Sequence, residues 1–194
     1  MKYSIQNLGS DILWIEDLLE AELCNHLIEV AEFCHFESKR VTIGSVDTSV
    51  GKESILSLDR RNPIQKAAND LILKKIQVIQ EALLKLYSVN FTQVEPCSIV
   101  RYSPSQNDKR RIDNLLLGSR LTEVEQGLPT RDVSIVGYLN DDFDGGELFF
   151  DRQSIKVPPK KGGVLVFPAY YTHPHQSLLV TRGRKYIWQS WLYY

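Results

Sequence analysis

The strongest constraint on the fold of this chain is a change of hydrophobic period near its middle. Up to Ser88 the apolar residues recur at helical spacings of three and four, whereas from residue 93 onward they fall into short runs with β-type patterning. These runs cover residues 93–102, 132–139, 147–151, 154–157, 164–167, 178–180 and 185–192. Gly145-Gly146, Pro158-Pro159 and Lys161-Gly162-Gly163 supply the turn residues between several of them. Short strands in this number must bury their faces against one another. Behind two helices they predict an α+β, mainly β domain built as a jelly-roll-like barrel or sandwich.

The first helix is expected over residues 18–33, after a short apolar strand over 11–17, with Leu19, Leu23, His26, Leu27, Val30 and Phe33 on one face. The second spans 63–88 and is indicated by Ile64, Ala67, Ala68, Leu71, Leu73, Ile76, Ile79, Leu83 and Leu86, with Lys66, Lys74, Lys75 and Lys85 on the solvated side. His26 is expected to pack in the core, and His35 to partner the negative end of the first helix dipole. No linker or repeat divides the 194 residues, and 43% apolar content suits one domain, with a bracing region over 1–90 and a β core over 91–194.

Composition excludes several function classes. Lysine and arginine number 23 against 24 acids, and a net charge of -1 gives no field that would gather nucleic acid or an anionic membrane. No apolar run has the length of a membrane span and the opening residues lack a signal-peptide pattern, so a cytoplasmic location is expected. Cys24, Cys34 and Cys97 form no CxxC pair, which reads as buried thiols in a reducing compartment.

A jelly roll serves capsids, lectins and enzymes alike, so individual positions must decide the function. The second half contains, in order, Tyr102-Ser103-Pro104, Asp113, Tyr138-Leu139-Asn140-Asp141, Gly145-Gly146-Glu147, Val157-Pro158-Pro159, Val166-Phe167-Pro168, Pro174-His175, the Val180 to Tyr186 segment and Trp191. In order and spacing these resemble the prolyl 4-hydroxylase-like branch of the iron(II)/2-oxoglutarate-dependent oxygenases, over about residues 93–194. The resemblance implies a double-stranded β-helix (jelly-roll, cupin-like) core that uses Fe(II), 2-oxoglutarate and O2 to hydroxylate an amino-acid, peptidyl or small-molecule substrate. It implies that Asp113 and His175 hold the metal and that Lys185 anchors the far carboxylate of 2-oxoglutarate. Tyr102 would hydrogen-bond the same carboxylate, and Trp191 would wall the substrate pocket. Gly145-Gly146 suits a tight turn, and Asp141, Asp142 and Asp144 suit a solvated hairpin tip. Tyr170, Tyr171 and Trp188 read as barrel packing.

The pattern breaks at position 111. A non-haem ferrous site of this kind needs two imidazoles and one carboxylate on one face. The family carries His-x-Asp where this chain has Arg111-Ile112-Asp113. A guanidinium has no lone pair for a metal. Its charge also repels the ion, by about 4 kcal/mol per unit charge at about 4 Å in a surface-like dielectric and roughly twice that for a divalent ion. Arg111 has three readings: a salt bridge to Asp113, a clamp for a substrate carboxylate, or a deliberate substitution that disables catalysis. His173, two residues from His175, is the nearest substitute ligand. Two alternatives to a working hydroxylase remain: an inactive homologue, natural or engineered, serving as a binding or 2-oxo-acid-sensing module, and a cupin- or lectin-like jelly roll unrelated to iron. Residues 115–130 are expected to border the pocket.

Overall fold

The computed structural model describes residues 3–34, 37–38, 54–58, 62–114 and 130–194. Before the first helix come β1 (Ser4–Asn7) and β2 (Leu13–Glu16), followed by α1 (Ala21–Phe33), β3 (Glu37–Ser38), β4 (Ser54–Ser57) and α2 (Pro63–Tyr87). The β half holds β5 (Gln93–Val94), β6 (Ser98–Tyr102), β7 (Val133–Tyr138), β8 (Asp144–Gly145), β9 (Leu148–Phe150) and β10 (Ile155–Val157). It ends with β11 (Val164–Pro168), β12 (His175–Ser177), β13 (Val180–Arg182) and β14 (Lys185–Tyr193).

The major sheet runs β1-β2-β11-β7-β14-β6-β4-β3, with β5 also on β14. A three-stranded sheet, β10-β9-β12, and the pair β13-β8 make the other layer. Strand alternation sends Val133 and Ile135 of β7 toward the helices and Val136 and Tyr138 into the space between the sheets. The same split places Val164 and Val166 in one core and Leu165 and Phe167 in the other. The central strands are therefore covered on both faces, by the helical layer and by the second sheet. This is the jelly-roll core braced by N-terminal helices that the period change implied. On the helix-facing side a Cβ on Gly137 would lie 2.0 Å from the Trp188 ring, so only glycine lets the indole cross its β-strand partner.

The helices end where their caps dictate. Asn62 accepts hydrogen bonds from Ile64 N and Gln65 N ahead of α2, Pro63 occupies its first turn, and Ser88 closes it in the left-handed conformation at φ 58°. Ala68, Ile72, Ile76, Ile79 and Leu83 form its buried stripe. Asn69 is buried among them, and its Oδ1 accepts the Cys97 N–H at 3.0 Å, pinning α2 to the start of β6. In α1 the buried stripe is Cys24, Leu27, Val30 and Ala31. His26 is exposed, contrary to its expected packing, because it sits about 100° round the helix from Leu27, and Phe33 is exposed as well. All three cysteines are free thiols, with Cys24 and Cys97 buried and pushed up to about 11 and about 12 by burial.

Other boundaries moved. The run at 93–102 divides into β5 and β6, and in place of the run at 178–180 stand β12, which ends before it, and β13, which begins at its last residue, Val180. β1 and β4 lack the apolar density that marks a buried strand. His35 and residues 115–129 of the expected pocket-side segment lie outside the described residues.

Replacing Asn69 by alanine leaves the buried Cys97 N–H without its acceptor. Asn69→Ala should lower unfolding stability by about 1–3 kcal/mol in urea, with the native circular dichroism retained.

Candidate active site

Arg111 and His175 are main-chain partners in an isolated antiparallel bridge: each N–H donates to the other's carbonyl at 2.9 Å. Directly opposed residues project to the same face, and Asp113, two positions on, shares it. The three side chains therefore meet at one point between the sheets. Ser134 and Trp191, opposed across β7 and β14, both reach Asp113 as well.

His175 is buried, flanked by Phe150 and Phe167. Its Nδ1 lies 3.1 Å from the His173 carbonyl, which can only accept, so Nδ1 carries the proton and Nε2 keeps a lone pair. Burial pushes the imidazole pKa down against the pull of Asp113, and Arg111 adds to the fall. Nε2 has no hydrogen-bond partner and faces Asp113 Oδ1 at 3.6 Å. Burial opposes ionisation of Asp113, but the charges of His175 and Arg111 and hydrogen bonds from Ser134 and Trp191 win, holding its carboxyl at about 2. At neutral pH a lone pair thus faces a carboxylate across a gap that suits a cation.

Arg111 does not fill that gap alone. Its Nε reaches Asp113 Oδ1 at 3.3 Å, while its Nη1 donates at 2.5 Å to Asp108, a buried carboxylate that also accepts the Tyr102 hydroxyl at 2.7 Å. A third of the Arg111 side chain meets solvent. Burial works against its charge, but Asp108 and Asp113 outweigh that and raise its pKa. Among the described residues no three histidine, cysteine or acidic side chains form a metal cluster, so the donor set fits a divalent ion held by two protein atoms, His175 Nε2 and Asp113 Oδ1. His173 is no substitute: its Nε2 lies 2.6 Å from Ser10 O and its Nδ1 2.8 Å from Thr172 Oγ1, outside this cluster.

The second end of the site is Lys185, paired with Tyr102 across β6 and β14. It is 1% exposed, and its Nζ donates to Gly146 O at 2.7 Å and Ser177 Oγ at 2.6 Å. Gly146 makes this approach possible, since a Cβ there would lie 3.1 Å from Lys185 Cδ and its φ is 69°. The Lys185 ammonium lies 4.8 Å from the Tyr102 ring centre and 5.7 Å from that of Tyr138. The Tyr138 hydroxyl is fully buried with no hydrogen-bond partner; the Leu148 amide lies toward it outside hydrogen-bond geometry. A buried ammonium beside an unsatisfied phenol suits the far carboxylate of a 2-oxo acid.

Trp191 is half-buried, with the Arg131 guanidinium 3.6 Å above its ring. It neighbours Asp113, so the residue expected to wall the pocket lies beside the carboxylate that faces His175. Sequence reasoning missed Asp108, Ser134 and Tyr138. Tyr138 stands in a quoted motif and an apolar run but has no role of its own in the sequence reading, and Asp108 carried no signal until Arg111 revealed a need for a counter-charge.

The 2OG-Fe(II) oxygenase superfamily model matches residues 97–193, half of the chain. The chain belongs to this superfamily. Its members use ferrous iron, 2-oxoglutarate and dioxygen. A protein of Acanthamoeba polyphaga mimivirus, provisionally named a prolyl 4-hydroxylase, is 25% identical over 187 residues, covering 91% of this chain and 72% of its own. Human prolyl 3-hydroxylase 3 is 39% identical over 69 residues, which are 31% of this chain and 9% of that protein. The fold is that of the viral collagen prolyl hydroxylase of Paramecium Bursaria Chlorella virus-1 in its 2OG complex, with a TM-score of 0.71 at 20% identity over 95% of this chain and 96% of that one. A Pseudomonas putida prolyl-4-hydroxylase superposes with a TM-score of 0.67 at 19% identity, over 98% and 91% of the two chains.

The buried pair makes this oxygenase fold acid-labile. The folded pKa of Asp113 is depressed from 3.8 to about 2, so its stabilisation is present above 3.8 and is lost as the pH falls toward 2. His175 acts in the same direction, because the unfolded imidazole takes a proton near 6.5 that the folded one rejects. Denaturant unfolding followed downward in pH should show stability declining below 6.5 and falling by roughly a further 2 kcal/mol below 3.8, with the lower limb flattened in Asp113→Asn.

Proposed function

We propose that this chain is an iron(II)/2-oxoglutarate-dependent hydroxylase of the prolyl-hydroxylase type, acting on a peptidyl or small-molecule substrate with the metal held by His175 and Asp113 alone. The observation that carries the reading is the unpartnered Nε2 of His175 aimed at the ionised Asp113 Oδ1, 3.6 Å away. Two electron-rich atoms buried face to face are unfavourable unless a cation lies between them. Arg111 is the obstacle, and Asp108 reduces it: the pair is neutral as a unit, so the repulsion of a metal by the guanidinium is largely offset. Lys185 and Tyr138, with Tyr102 nearby, would receive the far carboxylate of 2-oxoglutarate.

When bound, iron supplies the oxidant that inserts one atom of O2 into a substrate C–H bond while the other goes to succinate and CO2 is released. The chain's own residues do the rest. His173 O fixes the His175 tautomer, Ser134 and Trp191 hold Asp113, and Phe150 and Phe167 pack against the imidazole. The charges of Asp108, Asp113, Arg111 and Lys185 cancel, and so do those of a divalent ion and a dicarboxylate, which favours binding the two together.

A second reading, an inactive 2-oxo-acid-binding homologue, is favoured by the Arg111 Nε to Asp113 contact at 3.3 Å, which engages the oxygen a metal needs. Anaerobic titration with ferrous iron and 2-oxoglutarate separates the two. The hydroxylase should develop the weak visible charge-transfer band of the chelate and yield succinate in air. Metal-independent 2-oxoglutarate binding with neither signal supports the second reading, and no binding of either ligand contradicts both. Tyr138→Phe should weaken 2-oxoglutarate by about tenfold and Lys185→Ala by about 100-fold. Arg111→His should tighten ferrous iron by at least about tenfold.

A further inference from the structure

We propose that Arg131 is a positioning residue for the metal site: clamped by Glu95 and stacked on Trp191, it fixes Asp113 in the orientation that turns one carboxylate oxygen toward His175. The inference rests on the reading of Asp113 and His175 as metal donors. Arg131 donates to both oxygens of Glu95, from Nε at 2.6 Å and from Nη2 at 2.7 Å, a two-point geometry that fixes the plane of the guanidinium. That plane covers the Trp191 ring at 3.6 Å. The remaining Nη1 reaches the main-chain carbonyl of Asp113 at 3.5 Å. One side chain thus touches both the backbone of Asp113 and the indole that neighbours its carboxylate.

The clamp is anchored on the strands that build the site. Glu95 N donates to Trp191 O at 3.0 Å, and Ser190 Oγ donates to Glu95 O at 2.7 Å, so Glu95 is locked to β14 beside the ring it helps to hold. Trp191 lies opposite Ser134, whose hydroxyl takes Asp113 Oδ2 at 2.8 Å. With Oδ2 engaged and the indole fixed, Oδ1 is the oxygen presented to His175 Nε2. Lysine cannot replace Arg131 here, since an ammonium offers neither the planar stack nor the two-point grip.

Arg131→Leu, Glu95→Gln and Arg131→Lys test the clamp with two readouts on the full chain. The first needs no metal: the indole N–H resonance of Trp191 should shift and exchange faster with water in Arg131→Leu and Glu95→Gln, with those of Trp14 and Trp188 unmoved. The second is ferrous affinity by chelator competition with 2-oxoglutarate present, which should fall by about 10–100-fold in Arg131→Leu and not recover in Arg131→Lys. An unchanged Trp191 resonance in both variants, or an unchanged affinity in Arg131→Leu, overturns the proposal, as does full recovery by lysine. If the unmodified chain takes no ferrous iron, the proposed function fails while the indole resonance still decides the clamp.

Discussion

The site depends on two main-chain hydrogen bonds, each 2.9 Å, that set Arg111 opposite His175. They join the stretch after β6 to β12 and so bring residues far apart in sequence to one face between the sheets. A slip of one residue in this bridge would turn Asp113 away from His175 and into the opposite layer. The surrounding double layer supplies the rest: β14 lies between β6 and β7 and carries Lys185 at one end of the site and Trp191 at the other. Burial on both faces of these strands keeps water away from the imidazole and strengthens every charge nearby.

We read position 111 as the place where this chain departs from the His-x-Asp pattern of the superfamily. Arg111 would be a bare cation pressed against a metal position if it stood alone. Asp108, three residues earlier and buried, takes one arm of the guanidinium and the Tyr102 hydroxyl together. The arginine is therefore part of a carboxylate-balanced group, and the lone pair of His175 stays turned toward Asp113. The same group commits Tyr102 in part, which shifts attention to Tyr138 as the phenol with an unmet hydrogen bond beside Lys185.

Much of the architecture was legible from local patterns. α2 announces itself by a long stripe of period 3.6, Asn62 and Pro63 at its start, and Ser88 at its end. The runs at 132–139 and 164–167 read as strands and are β7 and β11. β12 did not read as a strand, because His175–Ser177 is short and polar and is recognisable only by its pairing with β9 and Arg111. His26 misled because a helix face drifts by 100° per residue, and the buried stripe of α1 passes through Leu27 instead. The family resemblance names Asp113, His175, Lys185 and Tyr102, and their side chains lie near one another. It does not name Asp108, Ser134, Glu95 and Arg131, since their roles exist only through contacts between distant strands.

The central claim is that His175 Nε2 and Asp113 Oδ1 together hold a divalent ion despite Arg111. Anomalous diffraction from crystals grown with manganese(II) and 2-oxoglutarate tests it most directly. The expected result is one peak within coordination distance of both atoms, with Arg111 turned off Asp113 and still paired to Asp108. No peak between them, with the guanidinium still on Asp113, would contradict it.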